Sequence, residues 1–70
     1  MYLNLEKCMR ENGISLRDYA AFLGISERGI RDRLLGKKEF TLEEIRRTGN
    51  ELFPGYTISY LFKDTVHYGQ

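Results

Sequence analysis

An all-α fold of five short helices is what this 70-residue sequence predicts. Gly-Ile-Ser occurs twice, at Gly13-Ile14-Ser15 and Gly24-Ile25-Ser26, bracketing eight residues with the pattern of an amphipathic helix. A glycine that ends one helix, an isoleucine that closes over its last turn and a serine that caps the next make one compact corner. Two further capping signals follow, at Thr41-Leu42-Glu43-Glu44 and at Thr57 after Pro54-Gly55. No segment alternates in the period-2 manner of a strand, although Thr65 to Tyr68 has the residues for an extended stretch along a partner surface.

The first helix is expected from about Leu3 to Asn12, with Leu5, Cys8 and Met9 on one face and Gly13 as its stop. Ser15 opens the second, with Asp18 three residues on as its capping-box partner, and Leu16, Tyr19, Ala20 and Leu23 fall at helical spacing. Gly24 ends it. Ser26 opens the third, where Ile30 and Leu34 form an i, i+4 apolar pair among charged residues, and Gly36 stops it. Residues 37–40 then read as a loop. In the fourth helix Leu42, Ile45, Leu52 and Phe53 are expected to face the core, and the last short helix carries Ile58, Leu61 and Phe62.

Length bounds the possibilities. A chain this small hides only about 60% of its unfolded surface, which leaves little room for an enclosed substrate pocket. Cys8 is the sole cysteine and His67 the sole histidine, so neither a disulfide scaffold nor a metal site is expected, and no cofactor is implied. The hydroxyls and carboxylates are explained as helix caps, and no enzyme constellation appears. No apolar run reaches the roughly 20 residues that cross a bilayer, and the N-terminus lacks the order of a signal peptide. A cytoplasmic protein without membrane attachment is expected, with residues 1–63 as one domain and 64–70 as a polar tail.

Formal charge is only +1, but its distribution is uneven. Between Glu27 and Lys38 stand Arg28, Arg31, Arg33, Lys37 and Lys38 against Glu27 and Asp32, so this window carries +3 and the remainder −2. A local basic patch on a nearly neutral protein fits a small docking surface. The second and third helices, joined by so short a turn, must cross steeply. The crossing needs a small residue facing an apolar one, which Ala20 and Ile30 supply. The far face of the third helix then presents Glu27, Arg28, Arg31 and Asp32, hydrogen-bonding groups of the kind that suit a major groove. This is the pattern of a helix-turn-helix. Glu27 with Arg31 and Arg28 with Asp32 are also i, i+4 pairs able to steady an exposed helix with no DNA present, by about 0.2 to 0.5 kcal/mol each.

The stretch from Leu16 to Lys37, with Ala20, Leu23, Gly24, Ile25, Ser26, Ile30 and Gly36 in register, resembles the Cro and phage-repressor type of helix-turn-helix DNA-binding proteins. Phe40 to Ile45 and Tyr60-Leu61-Phe62 look like the downstream helices of its small phage-associated members, so the resemblance covers about residues 3 to 62. It implies a sequence-specific transcriptional regulator of a phage or prophage-like region, a homodimer on a palindromic operator in duplex DNA; from the shortness of the chain no small-molecule effector is expected. Base reading then falls to Ser26, Glu27, Arg28 and, one turn later, Arg31 or Asp32. Arg28 and Arg31 are suited to guanine, because a guanidinium donates two hydrogen bonds to its major-groove edge. Phosphate contact falls to Ser15 and Arg17 at the start of the second helix and to Lys37 and Lys38 after the third. Two positions depart from the family. Leu16 stands where many relatives have a backbone-contacting Gln, and Arg33 stands where an apolar residue is common. The alternative reading is a protein-interaction module of antirepressor or antitoxin type that does not read DNA. The aromatic residues Phe53, Tyr56, Tyr60 and Phe62 crowd the C-terminal quarter, as a self-association surface or as closure of the core.

Overall fold

A computed structural model describes residues 1–64; the stretch Thr65 to Tyr68 and His67 lie outside the described residues. Those described form α1 (Leu3–Glu11), α2 (Leu16–Leu23), α3 (Glu27–Leu34), α4 (Leu42–Arg47), a π turn (Thr48–Leu52) and α5 (Ile58–Leu61), with no strand among them. The capping chemistry is as the sequence predicts. Ser15 and Asp18 close a full capping box on α2, Thr41 and Glu44 close another on α4, and the Ser26 and Thr57 hydroxyls accept the amides of Gly29 and Tyr60.

Helices α1, α2 and α3 end in the same way. Each is followed by a glycine at positive φ (Gly13 68°, Gly24 76°, Gly36 85°), and the next amide reaches back five residues: Ile14 to Met9, Ile25 to Ala20, Lys37 to Asp32. Such caps satisfy carbonyls that would otherwise be orphaned. Ile14 and Ile25 lay a half-buried apolar side chain over the cap. In the third cap that place is taken by Lys37, exposed, so the chain leaves α3 through a basic loop.

The core gathers Leu5, Cys8 and Met9 of α1, Tyr19, Ala20 and Leu23 of α2, Ile30 and Leu34 of α3, and Phe40, Phe53 and Leu61 beyond. Ala20 and Ile30, expected at the steep crossing, are both buried where α2 packs on α3. Phe40 lies in the loop after α3, as expected, and its ring is buried in the core. Its ring lies edge-on to Tyr2 and Phe62 at centroid distances of 5.6 and 5.0 Å and stacks near Tyr19 at 6.3 Å. Tyr2 also meets Phe62 edge-on at 5.8 Å, so both ends of the described chain close on the loop after α3. The expected C-terminal aromatic cluster is thereby divided: Phe62 belongs to this inner group, whereas Tyr56 stacks on Tyr60 at 5.9 Å at the surface.

The fourth helix needs correcting in two respects. Leu42 is 85% exposed rather than core-facing, since it occupies the first helical position, outside the buried stripe. That stripe runs through half-buried Ile45, buried Thr48 and Gly49, then Leu52 and Phe53. The helix also widens at Thr48, where the Phe53 amide bonds the Thr48 carbonyl at 2.9 Å across five residues. Gly49 makes room for α5: a methyl group there would meet Ile58 Cγ1 at 2.6 Å. Among the described residues no helix is long and apolar enough to cross a membrane.

Candidate nucleic-acid interface

The site is built on α3, whose inward face is fixed by burial of Ile30 and Leu34. Arg33 fixes its rotation. Its Nε donates to Glu44 Oε1 at 2.9 Å and its Nη2 to Glu44 Oε2 at 3.3 Å, while Nη1 donates to the Gly29 carbonyl at 3.1 Å. Both side chains are only 13% exposed. Glu44 Oε1 also accepts the Thr41 amide at 3.0 Å, so one carboxylate caps α4 and clamps α3 to it. A bidentate, partly desolvated pair of this kind holds an angle as well as a distance. The charged sequence around Arg33 reads as a solvated face, and its partner lies eleven residues on, beyond helical spacing.

With that face inward, Ser26, Glu27, Arg28 and Arg31 are exposed together, and Asp32 is half-buried at the edge. Arg28 and Arg31, one turn apart, enter no ion pair among the described residues, and neither expected i, i+4 pair on α3 is formed. Glu27 turns instead to Arg17, with 3.6 Å between Oε2 and Nε, and the contact joins the start of α2 to the start of α3. The two groups keep 48% and 84% of their side-chain exposure, so the attraction is screened and weak.

Ser26 and Ser15 each spend the oxygen as a cap acceptor and keep the hydroxyl proton for donation. The Ser15 amide donates to Asp18 Oδ2 at 3.0 Å, and that bond holds the Asp18 carboxyl below its ordinary range, leaving a negative charge at the α2 N-terminus. Arg17 is therefore the stronger anion-binding group at that end. Lys37 and Lys38 are exposed in the loop leaving α3, and their amides both turn to the Asp32 carbonyl, at 2.8 and 3.3 Å. Arg47 bonds the Phe22 carbonyl at 2.9 Å with its guanidinium 4.6 Å from the Phe22 ring centroid, satisfying the end of α2.

Beside Arg31 lies a cleft of about 310 Å³ between α1 and α3, lined by Glu6, Met9 and Arg10 of α1, Ile14 and Leu16 of the next segment, and Arg31, Leu34 and Leu35. Leu16 and Arg31 thus line the same cleft. Arg10 and Leu35 gave no functional signal in sequence, because a lone arginine on α1 and a leucine at a helix end look like ordinary surface and core residues.

Chemically the surface offers hydrogen-bond donors and positive charge. Among the described residues no three His, Cys, Asp or Glu side chains gather to hold a metal. Cys8 is fully buried, and burial pushes its thiol above its ordinary value, which keeps it protonated. The chain matches no family model, no curated protein and no solved structure.

Proposed function

We propose that this chain is a helix-turn-helix transcriptional regulator of phage or prophage type, acting in the bacterial cytoplasm. Helix α3 would lie in the major groove of duplex DNA, and two copies would bind a palindromic operator. The observation that carries this reading is the pair Arg28 and Arg31: exposed, one turn apart, without a carboxylate partner among the described residues, on a helix whose other face is clamped into the core. Such a pair has the donors to read guanine edges. Arg17, Lys37 and Lys38 flank it at either end and suit phosphates; Ser26 and Glu27 lie between.

The test is affinity selection of the purified protein against a random duplex library at physiological salt. Enrichment of an inverted repeat with half-sites about one helical turn apart, roughly 34 Å, supports the proposal. Absence of enrichment, with no binding at low salt, overturns it.

One observation favours a second reading, a protein-interaction module that does not read DNA: the acidic Glu27 stands on this surface beside Arg17, where it would repel phosphate. A heparin column separates the two. A DNA reader is retained and elutes in salt, whereas the interaction module flows through.

A further inference from the structure

We infer that the cleft between α1 and α3 is a docking site for an acidic amphipathic segment of a partner protein, and that its occupation competes with DNA for Arg31. The floor of the cleft is apolar, with Leu16 and Leu34 and the 43%-exposed Leu35. Its two walls each carry a guanidinium, Arg10 on α1 and Arg31 on α3. Neither guanidinium has an ion-pair partner among the described residues, even though Glu6 stands four residues before Arg10 on the same helix.

Charge and shape together select the occupant. A duplex backbone offers phosphates but no apolar side chain for this floor. A peptide segment with one large apolar residue flanked by carboxylates offers both, and a volume of about 310 Å³ is at the small end for a ligand pocket. A single anchoring side chain in such a depression is how protein interfaces concentrate their affinity. Glu6 at the rim repels a carboxylate on its side and so fixes which way the segment lies. Because Arg31 belongs both to this cleft and to the DNA-reading face, the two partners exclude one another. The docking stands on the cleft alone; the competition rests on the DNA-reading proposal.

The probe is a synthetic amphipathic helix with leucine and phenylalanine on its apolar face and glutamates on the flanks, with a glutamine-flanked version as control. Titrated into the isotope-labelled protein, the acidic peptide is expected to saturate, with amide shifts concentrated at Leu16, Leu34 and Leu35. Arg10→Gln weakens it at least about tenfold, the loss expected of one charge-assisted hydrogen bond. The peptide displaces selected operator DNA from the wild type, and Arg10→Gln selects the same operator but resists displacement. The docking is overturned by lack of saturation, by equal binding of the glutamine control, by shifts mapping elsewhere, or by sedimentation showing a second copy of the chain filling the cleft. Saturable docking at the cleft without operator enrichment upholds the site and removes only the competition.

Discussion

Tyr19 donates its buried hydroxyl proton to Thr48 Oγ1 at 2.7 Å, tying α2 to the π turn. The direction follows from the next bond, because Thr48 Oγ1 gives its own proton to the Glu44 carbonyl at 2.7 Å. Both side chains are fully buried. Tyr19→Phe removes a donor and leaves Thr48 bonded to Glu44, at an expected cost of about 1 kcal/mol. Thr48→Val strands the Tyr19 hydroxyl without an acceptor, at about 2 kcal/mol. Urea unfolding of both variants checks the order.

The same tyrosine sets an alkaline limit. Burial pushes its phenol well above the ordinary 10.0, outweighing the Thr48 bond. The folded chain therefore keeps a proton that the unfolded chain gives up. The stability is complete below pH 10.0 and falls as pH rises above it. Cys8, raised above 9.0 by burial, adds a loss of the same sign starting lower. Unfolding midpoints between pH 8 and 11 should decline, and Tyr19→Phe should flatten the upper part of that decline.

Glu44 is expected to be the most sensitive charged position. Glu44→Ala leaves the Arg33 guanidinium largely buried without its partner and removes the reciprocal arm of the α4 cap, together costing about 3 kcal/mol. Arg33→Met costs less, because the Glu44 carboxylate keeps the Thr41 amide. Thermal unfolding followed by circular dichroism decides between them; equal losses would mean that the bond to the Thr41 amide contributes little beyond the clamp.

Gly49→Ala should destabilise, although alanine is the better helix former by about 1 kcal/mol. The new methyl meets Ile58 Cγ1 at 2.6 Å and Cδ1 at 3.1 Å, and overpacking of this kind costs about 1 to 3 kcal/mol. The double variant Gly49→Ala, Ile58→Ala removes the collision, so a double-mutant cycle should show strong favourable coupling.

On a selected operator, Arg28→Ala or Arg31→Ala should cost about 1 to 3 kcal/mol and relax preference at one base position. Lys38→Ala should weaken all sequences alike and reduce the salt slope by about one. Uniform weakening by Arg28→Ala would make Arg28 a phosphate contact.

The starts of α2, α3, α4 and α5 were legible because each rests on a serine or threonine whose hydroxyl accepts the amide three residues on, a local rule that tertiary context did not override. Gly24 was legible for the same reason. Leu42 misled because a helical repeat counted from the first apolar residue ignores that the first turn has yet to reach the core. Thr48 and Gly49 fall on the buried stripe by spacing but are polar and small, and only the neighbouring Tyr19 and Ile58 explain them. Phe40 and Arg33 were hidden by distance along the chain: their partners, Tyr2 and Phe62 in one case and Glu44 in the other, lie outside any window in which periodicity operates. Within the candidate site the exposed face of α3 was readable from two apolar residues, whereas the pairing of Arg17 with Glu27 and the cleft beside Arg31 depend on how α1, α2 and α3 are set against one another.

The loop that carries Lys37 and Lys38 is fastened at both ends, by the Gly36 cap and by the Phe40 ring held between Tyr2 and Phe62. Its backbone freedom is surrendered when the domain folds, not when an anion arrives. Two lysines on a floating loop would forfeit much of their attraction for an anion to ordering; here the loop is ordered beforehand. On the proposed reading, a substitution at Phe62, which touches the loop only through the Phe40 ring, is expected to register as a slackened grip on polyanions of any sequence.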